Sequence, residues 1–123
     1  MIHLDTSFLI RALVAGSEAD AGLRRMLRVG EDIGMSAIAW TEFQCGPVSA
    51  AAIDVARHLL GDPIAFTADD ATTAAALYNE TGRRRGTLID CMIAASSINA
   101  GAVIATANAA DFRRFEAFGL EVR

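Results

Sequence analysis

Short apolar runs alternate with helical patterns along this chain, and that alternation limits its fold more than any other feature. Helical periodicity separates successive runs, so strands and helices follow one another in order. The run Ala102–Ala105 shows no polar alternation, which indicates a strand buried on both faces, as in a parallel sheet. The chain is therefore predicted to form an α/β sandwich around a mostly parallel central sheet of four to five strands. The predicted strands are Ile2–Leu4, Ile33–Ser36, Pro63–Phe66, Ala102–Ala105 and a weaker run at Leu120–Val122.

The predicted helices begin at hydroxyl or acidic residues, and several of them end at glycine. They cover residues 6–14, 18–28, 37–45, 49–60 and 69–81, followed by the helix that carries Asp90 and ends at 100, and by a short helix from about 109. A chain of 123 residues with 53% hydrophobic content can bury a core of its own. Residues 1–123 are therefore expected to form a single domain.

All 11 basic residues of the chain are arginine, and there is no lysine. This excludes Schiff-base chemistry and the phosphate-binding lysine of a P-loop. The formal net charge is −4, which by itself argues against a nucleic-acid partner. No apolar run reaches the roughly 18–20 residues that cross a bilayer, so a cytoplasmic protein is expected. Cys45 and Cys91 are interpreted as small buried residues in a reducing compartment.

Four acidic residues stand at the ends of predicted strands or inside otherwise apolar helices. Asp5 ends the first strand, Glu42 lies between Trp40 and Phe43, Asp90 follows an apolar helix start, and Asp111 begins a late helix. The carboxyl ends of parallel strands open a crevice at one edge of the sheet, where these acids can meet. Clustered carboxylates suit Mg²⁺ or Mn²⁺. Two such ions about 3.5–4 Å apart can activate water and stabilise the leaving oxygen in phosphodiester cleavage.

Each of these acids also has an ordinary structural interpretation. Asp5 can cap the helix that follows it. Asp90 and Asp111 stand three residues after Thr87 and Asn108, the spacing of a capping box. An ionised Glu42 on an apolar helix face needs a positive partner, which can be a buried arginine or a metal ion. Taken together, the four positions favour a shared metal site and cleavage of a phosphodiester bond.

Four segments of the chain carry a family resemblance. Asp5-Thr6-Ser7, Thr41-Glu42, Asp90-x-x-Ile93-Ala94-Ala95 and Thr106-x-Asn108-x-x-Asp111-Phe112 resemble, in order and spacing, the signature segments of PIN-domain ribonucleases, and most of all the VapC-type toxins of toxin–antitoxin pairs. The resemblance covers nearly the whole chain. It implies a PIN-like α/β/α sandwich in which Asp5, Glu42, Asp90 and Asp111 are catalytic metal ligands. Thr6 and Asn108 would support those ligands or orient the substrate.

The resemblance also implies one or two Mg²⁺ or Mn²⁺ ions, single-stranded RNA as substrate, a homodimer, and an antitoxin whose peptide tail enters the active-site groove. The chain departs from the family pattern in two places. The segment between Glu42 and the third strand is short, which implies a reduced dimer face. Ile89 stands before Asp90, where a polar residue is common, and this implies a different approach of the substrate.

Basic residues near the acids are the remaining candidates for binding. Arg83, Arg84 and Arg85 lie five to seven residues before Asp90 and are predicted to contact RNA phosphates; a solvated charge run at a helix end is the alternative. Arg113 and Arg114 beside Asp111 are similar candidates. His3 is predicted to lie in the core and His58 on a helix surface. Neither has a partner at zinc-ligand spacing.

The sequence leaves two other functions open. A haloacid-dehalogenase-like phosphate-transfer domain also begins with an aspartate at a strand end. It expects a second aspartate where this chain has Ser7, and a lysine that the chain lacks. The other alternative is a catalytically inactive PIN-like domain that binds RNA or a protein partner.

Overall fold

The computed structural model describes residues 1–123, and a four-stranded parallel sheet lies at its centre. Strand β1 occupies a central position and pairs with β2 on one side and β3 on the other, and β4 follows β3 at the edge. The strands are β1 (Ile2–Leu4), β2 (Ile33–Gly34), β3 (Val103–Ala105) and β4 (Glu121–Val122). The α/β architecture and the parallel sheet are confirmed.

Seven α-helices and one 3-10 helix surround the sheet. Their bounds are α1 (Thr6–Ala12), α2 (Glu18–Arg28), α3 (Ala37–Cys45), α4 (Ala50–Leu60), α5 (Ala68–Glu80), α6 (Leu88–Ala100), α7 (Ala109–Phe112) and the 3-10 helix Arg113–Phe118. Four of the α-helices begin with a hydroxyl side chain that accepts a backbone N–H, at Ser17, Ser36, Ser49 and Thr67. None of the helices is both long and apolar enough to cross a membrane.

The core lies where the sheet meets the helices. Leu4, Leu9, Ile104 and Phe115 are completely buried there, within a cluster of 22 apolar residues. His3 is buried as predicted, and its Nδ1 lies 3.1 Å from Ser97 Oγ. Burial lowers the pKa of His3 below its usual value, because the charged imidazolium would lose its hydration there.

The strand predicted at Pro63–Phe66 is wrong. Only Ile64 pairs, in an isolated parallel bridge to Ser36. Its N–H donates to Met35 O at 2.9 Å, and its carbonyl accepts from Ala37 N at 2.8 Å. Pro63 has no N–H to extend the pairing, so the ladder cannot grow toward the start of the run. The sheet therefore has four strands.

The direction of the strands determines where the site lies. Leu4 of β1 stands opposite Ala105 of β3 in the parallel register. The residues that follow, Asp5 and Thr106, therefore leave the sheet side by side at its carboxyl edge. The first helices after β1 and β2 begin at the same edge, because all four strands run in one direction.

Candidate active site

One cleft of about 220 Å³ at the carboxyl edge of the sheet is lined by all four of the predicted acids. They come from four different elements: the end of β1, the middle of α3, the first turn of α6, and α7. Thr6, which was also predicted, and Ser7 belong to the same lining. The complete lining is Asp5, Thr6, Ser7, Ile10, Glu42, Asp90, Asn108, Asp111 and Phe112.

Asp5 is the most buried of the four acids, with 5% of its surface exposed. It occupies the N-cap position of α1, but its side chain makes no capping hydrogen bond, so the capping interpretation is wrong. Its Oδ2 instead accepts hydrogen bonds from Ser7 Oγ at 2.7 Å and from Thr106 Oγ1 at 2.9 Å. The two hydroxyls fix the orientation of the carboxylate toward the cleft.

The supporting roles of Ser7 and Thr106 were missed in the sequence. Thr106 is separated from Asp5 by 101 positions, so no local pattern joins them. The signal that could have found it is the strand register, since the residues after two adjacent parallel strands emerge together. The two hydroxyl oxygens also lie 3.2 Å from each other, which closes a small network around Asp5.

Glu42 projects from α3 into the cleft and is held by Thr6. The Thr6 hydroxyl lies within hydrogen-bonding distance of Glu42 Oε1, at 2.9 Å, and of Ala39 O, at 3.0 Å. Glu42 is exposed, and no arginine pairs with it, so both the buried-face premise and the arginine partner are wrong. Cys45 on the same face is exposed as well, contrary to prediction, because this face of α3 borders an open groove rather than the core.

Asp90 stands in the first turn of α6 and is partly buried. The Thr87 side chain does not cap this helix; its hydroxyl donates to Arg84 O at 2.6 Å, so the predicted capping box is wrong. The Asp90 carboxylate is therefore free to face the other acids.

The charges in the cleft have their clearest effect on the pKa of Asp90. Burial raises the pKa of Asp90 from 3.8 to about 6, and the charge of Asp5 is the next largest cause. The charges of Asp111 and Glu42 act in the same direction, and the Arg114 guanidinium opposes them. A rise of this kind follows from removing a carboxylate from water beside like charges. The charges of the other three acids therefore reach Asp90 through space.

Asp111 and Asn108 complete the cleft on the side of α7. Asn108 occupies the N-cap position, but its side chain makes no capping hydrogen bond, so the second predicted capping box is also wrong. The backbone N–H of Asn108 donates to Thr106 Oγ1 at 3.0 Å. The side chains of Asp111 and Asn108 are exposed and line the opening.

Arg113 and Arg114, predicted as a pair, point to different places. Arg113 is exposed and pairs with Glu116 at 3.2 Å. The guanidinium of Arg114 lies 4.4 Å from the ring centroid of Phe115, and its Nη2 is 3.8 Å from Asp90 Oδ2. Arg114 thus belongs to the surroundings of the acids, whereas Arg113 belongs to the surface.

The segment Arg83–Arg85 lies in the loop between α5 and α6 and does not line the cleft. All three arginines are exposed. Arg83 Nε donates to Asn79 Oδ1 at 3.0 Å, and no ion pair involves any of the three side chains. Their charges are therefore available to a partner next to the first turn of α6.

The donor set of the cleft fits a hard divalent cation in its chemistry. Every candidate ligand is a carboxylate oxygen, the preferred donor of Mg²⁺ and Mn²⁺. The mutual repulsion registered at Asp90 is what a cation would relieve. No three His, Cys, Asp or Glu side chains stand close enough to hold one ion together. A hydrated ion would need only one or two of these carboxylates, with water as its remaining ligands.

The comparisons with known proteins agree with one another. A family model described as PIN domain matches residues 2–117. Among solved structures, VapBC2 from Rickettsia felis bound to a promoter DNA fragment has a TM-score of 0.76 at 21% identity, covering 100% of this chain and 98% of that one. A toxin–antitoxin complex from Klebsiella pneumoniae has a TM-score of 0.73 at 24% identity, with coverages of 92% and 91%.

A third similar structure is VapC20 of Mycobacterium tuberculosis, described as a sarcin–ricin loop cleaving toxin. Its TM-score is 0.64 at 21% identity, with coverages of 98% and 96%. At these identities the likeness shows the shared fold. A search of curated protein sequences found no match.

Proposed function

Because this chain belongs to the PIN domain family, we propose that it is a metal-dependent endoribonuclease that cleaves single-stranded RNA, with residues 1–123 as one PIN-like domain. The observation that carries the proposal is the cleft in which Asp5, Glu42, Asp90 and Asp111 meet. The rise in the pKa of Asp90 supports a common electrostatic site, since three other carboxylates contribute to it. Separate structural roles for the four acids would require no such convergence.

In this proposal the four carboxylates hold one or two Mg²⁺ or Mn²⁺ ions. The bound metal would supply an activated water and stabilise negative charge on the phosphodiester. Two networks in the protein orient the ligands: Ser7 and Thr106 donate to Asp5, and Thr6 contacts Glu42. Asn108 presents an uncharged amide at the opening, where it can orient the substrate.

The arginine segment is the proposed contact for the RNA backbone. Arg83, Arg84 and Arg85 precede α6, the helix whose first turn carries Asp90. Cations at this position would bind phosphates on either side of the scissile bond without entering the cleft. The formal net charge of −4 does not oppose this, because the four acids of the cleft would be neutralised by metal.

We further propose that the protein is the toxin of a toxin–antitoxin pair in the cytoplasm and that it forms a homodimer. The support comes from similar structures: one is a toxin–antitoxin complex and another is VapBC2 on its promoter DNA. An antitoxin would place a peptide along the groove beside the cleft, which Ile38, Cys45 and Ile89 line. Apolar side chains in an exposed groove favour such a protein contact.

The proposed activity is tested by incubating the purified protein with single-stranded RNA in Mg²⁺ or Mn²⁺, and again with excess chelator. Cleavage that requires metal is expected. Asp90→Asn should abolish it, with a loss of at least about a hundredfold, because an amide is a poor ligand for these ions. The matched control is Asp69→Asn, which changes an exposed aspartate in the first turn of α5 and should keep wild-type activity.

Other results would select other functions. RNA binding without cleavage in any metal would select a catalytically inactive domain. Release of phosphate from a small phosphoester, without RNA cleavage, would select a phosphate-transfer domain. Full activity in Asp90→Asn would remove Asp90 from the metal site, because the loss of a structural contact alone would alter stability rather than chemistry.

A further inference from the structure

Arg114 lies beside the acid cleft without lining it. It is the second residue of the 3-10 helix that follows α7, the helix carrying Asp111. Its guanidinium lies 4.4 Å from the ring centroid of Phe115, which is completely buried and packs edge-on against Phe112 at 6.2 Å. An arginine stacked on an immobile ring loses little further freedom when it acts on a neighbouring charge.

The nearest carboxylate to this guanidinium belongs to Asp90. Arg114 Nη2 lies 3.8 Å from Asp90 Oδ2, with side-chain exposures of 20% and 29%. The four other ion pairs of the protein do not involve the cleft acids. Arg114 is therefore the one cation paired with a carboxylate of the cleft.

Two donors of Arg114 are unusual. Nε and Nη2 are both buried, and neither has a hydrogen-bond partner. Unpaired donors on a buried charge are costly, so a compensating interaction is expected nearby. The negative charges of the cleft carboxylates can offset this cost. Coulomb attraction to the guanidinium acts without a hydrogen bond and is stronger away from water.

The same burial decides which kind of role Arg114 can have. Nε and Nη2 are closed to solvent, and Arg114 is not part of the lining of the cleft, so these two donors do not face an RNA phosphate arriving there. Arg84 and Arg85, by contrast, are exposed. Asp90 lines the cleft and Arg114 does not, so Arg114 pairs with Asp90 from outside the cleft lining.

We propose that Arg114 is a positioning residue that acts as the built-in counter-charge of the acid cleft, holding Asp90 in place and limiting how tightly the cleft binds a divalent cation. The inference rests on the proposed function for the identity of the cation. A guanidinium and a metal ion attract the same carboxylates and repel each other. Removing Arg114 should therefore destabilise the protein without metal and strengthen its binding of metal.

The test compares Arg114→Met with Arg113→Met in chelator and in a Mn²⁺ titration, using free Mn²⁺ measured by electron paramagnetic resonance. Arg114→Met should melt at a lower temperature in chelator and bind Mn²⁺ about tenfold more tightly, because a nearby positive charge is lost. Arg114→Lys keeps the charge and should bind Mn²⁺ within a few-fold of wild type. Arg113→Met should match wild type in both measurements, since Arg113 pairs only with Glu116 on the surface.

A double variant keeps the test decisive if Arg114→Met folds poorly. If Arg114 acts through the charge of Asp90, adding Asp90→Asn to Arg114→Met should restore part of the lost melting temperature. Independent effects of the two changes in chelator would overturn the proposal without reference to metal. So would a Mn²⁺ affinity in Arg114→Met equal to or weaker than that in Arg113→Met. Failure of the wild-type protein to bind Mn²⁺ would instead contradict the proposed metal site.

Discussion

Asp90 is placed where its carboxylate suits the proposed metal site, but its ionised form lowers the stability of the fold. Its carboxylate lies partly buried beside other acids, and the pKa of the group rises from 3.8 to about 6. A carboxyl group whose pKa is raised on folding favours the protonated form in the native state. The protonated Asp90 side chain contributes fully to the free energy of unfolding below pH 3.8, and this contribution is lost as the pH rises through about 6.

This gives a pH-dependent prediction for the metal-free protein. Above pH 6, ionised Asp90 should cost about 1–2 kcal/mol after allowance for its partial exposure. Asp90→Asn should therefore be more stable than wild type in chelator at pH 7.5, and the advantage should vanish near pH 4. Urea unfolding of both proteins across that range measures the difference directly, and the contribution of His3 cancels between them.

A difference that stays constant with pH would contradict the prediction. It would show that the ionisation of Asp90 is not coupled to folding and that its surroundings are better hydrated than the cleft geometry indicates. The control Asp69→Asn should show no such trend, because Asp69 is exposed on α5.

At the scale of elements, the loop between α5 and α6 determines how the arginines are presented. Arg83 has a φ of 51°, between glycines at 82 and 86 that also have positive φ. The Arg83 carbonyl accepts a hydrogen bond from Tyr78 Oη at 3.2 Å, and Arg83 Nε donates a hydrogen bond to Asn79 Oδ1. Arg83 thus helps to shape the loop, whereas Arg84 and Arg85 form no ion pair.

The resulting prediction separates the three arginines by their effect on RNA binding. Arg84→Ala with Arg85→Ala should weaken binding and reduce the slope of log affinity against log salt by about 1.4, or about 0.7 per phosphate contact on a single strand. Arg83→Ala should change the slope less and should lower stability, because it removes the hydrogen bond from Arg83 Nε to Asn79 Oδ1. Fluorescence anisotropy at several salt concentrations measures both quantities.

An unchanged slope in the double variant would show that the loop is a solvated helix terminus with no part in binding. Arg24→Ala on the outer face of α2 is a suitable control. Arg24 pairs with Asp20 on the surface and does not line the cleft.

At the scale of the whole molecule, the parallel sheet assembles the site. Acids from β1, α3, α6 and α7 reach one cleft because every strand ends at the same edge. Bringing carboxylates together stores repulsion that the rest of the fold must offset. A ligand that relieves this repulsion stabilises the folded state by its binding free energy.

The variant Glu42→Gln tests whether relieving this repulsion stabilises the folded state. The Thr6 hydroxyl can still donate a hydrogen bond to the amide oxygen, so the main change is the loss of one charge from the cleft. In chelator the variant should melt about 2 °C higher than wild type, as expected for a gain of about 0.5 kcal/mol in a chain of this size. Added Mn²⁺ should stabilise it less than wild type. Thermal melts of both proteins, with Asp54→Asn on α4 as the charge-matched control, measure the two effects.

A lower melting temperature for Glu42→Gln, together with no response of wild type to Mn²⁺, would contradict the shared metal site. Both proteins would then behave as if the four acids did not share a site.

The order of the helices and of the four strands, and the elements that carry the acids, could be predicted from the sequence, whereas the strand predicted at Pro63–Phe66 does not form. Helices α2, α3 and α6 were predicted to within a residue or two, because apolar periodicity and stop signals such as Gly101 act locally. Asp5 and Asp111 could be assigned to the carboxyl edge, because that edge follows from strand direction alone. Membership of the family was likewise evident from four short segments in order.

Contacts between residues far apart in the sequence could be seen only in the folded protein. Capping was equally permitted at Asp5, Thr87 and Asn108 by local pattern, but none of these side chains caps its helix. Arg113 and Arg114 are neighbours in sequence, yet only Arg114 turns toward Asp90. Side-chain direction at such positions depends on which groups other elements bring within reach, and the free energy of those contacts exceeds local preference.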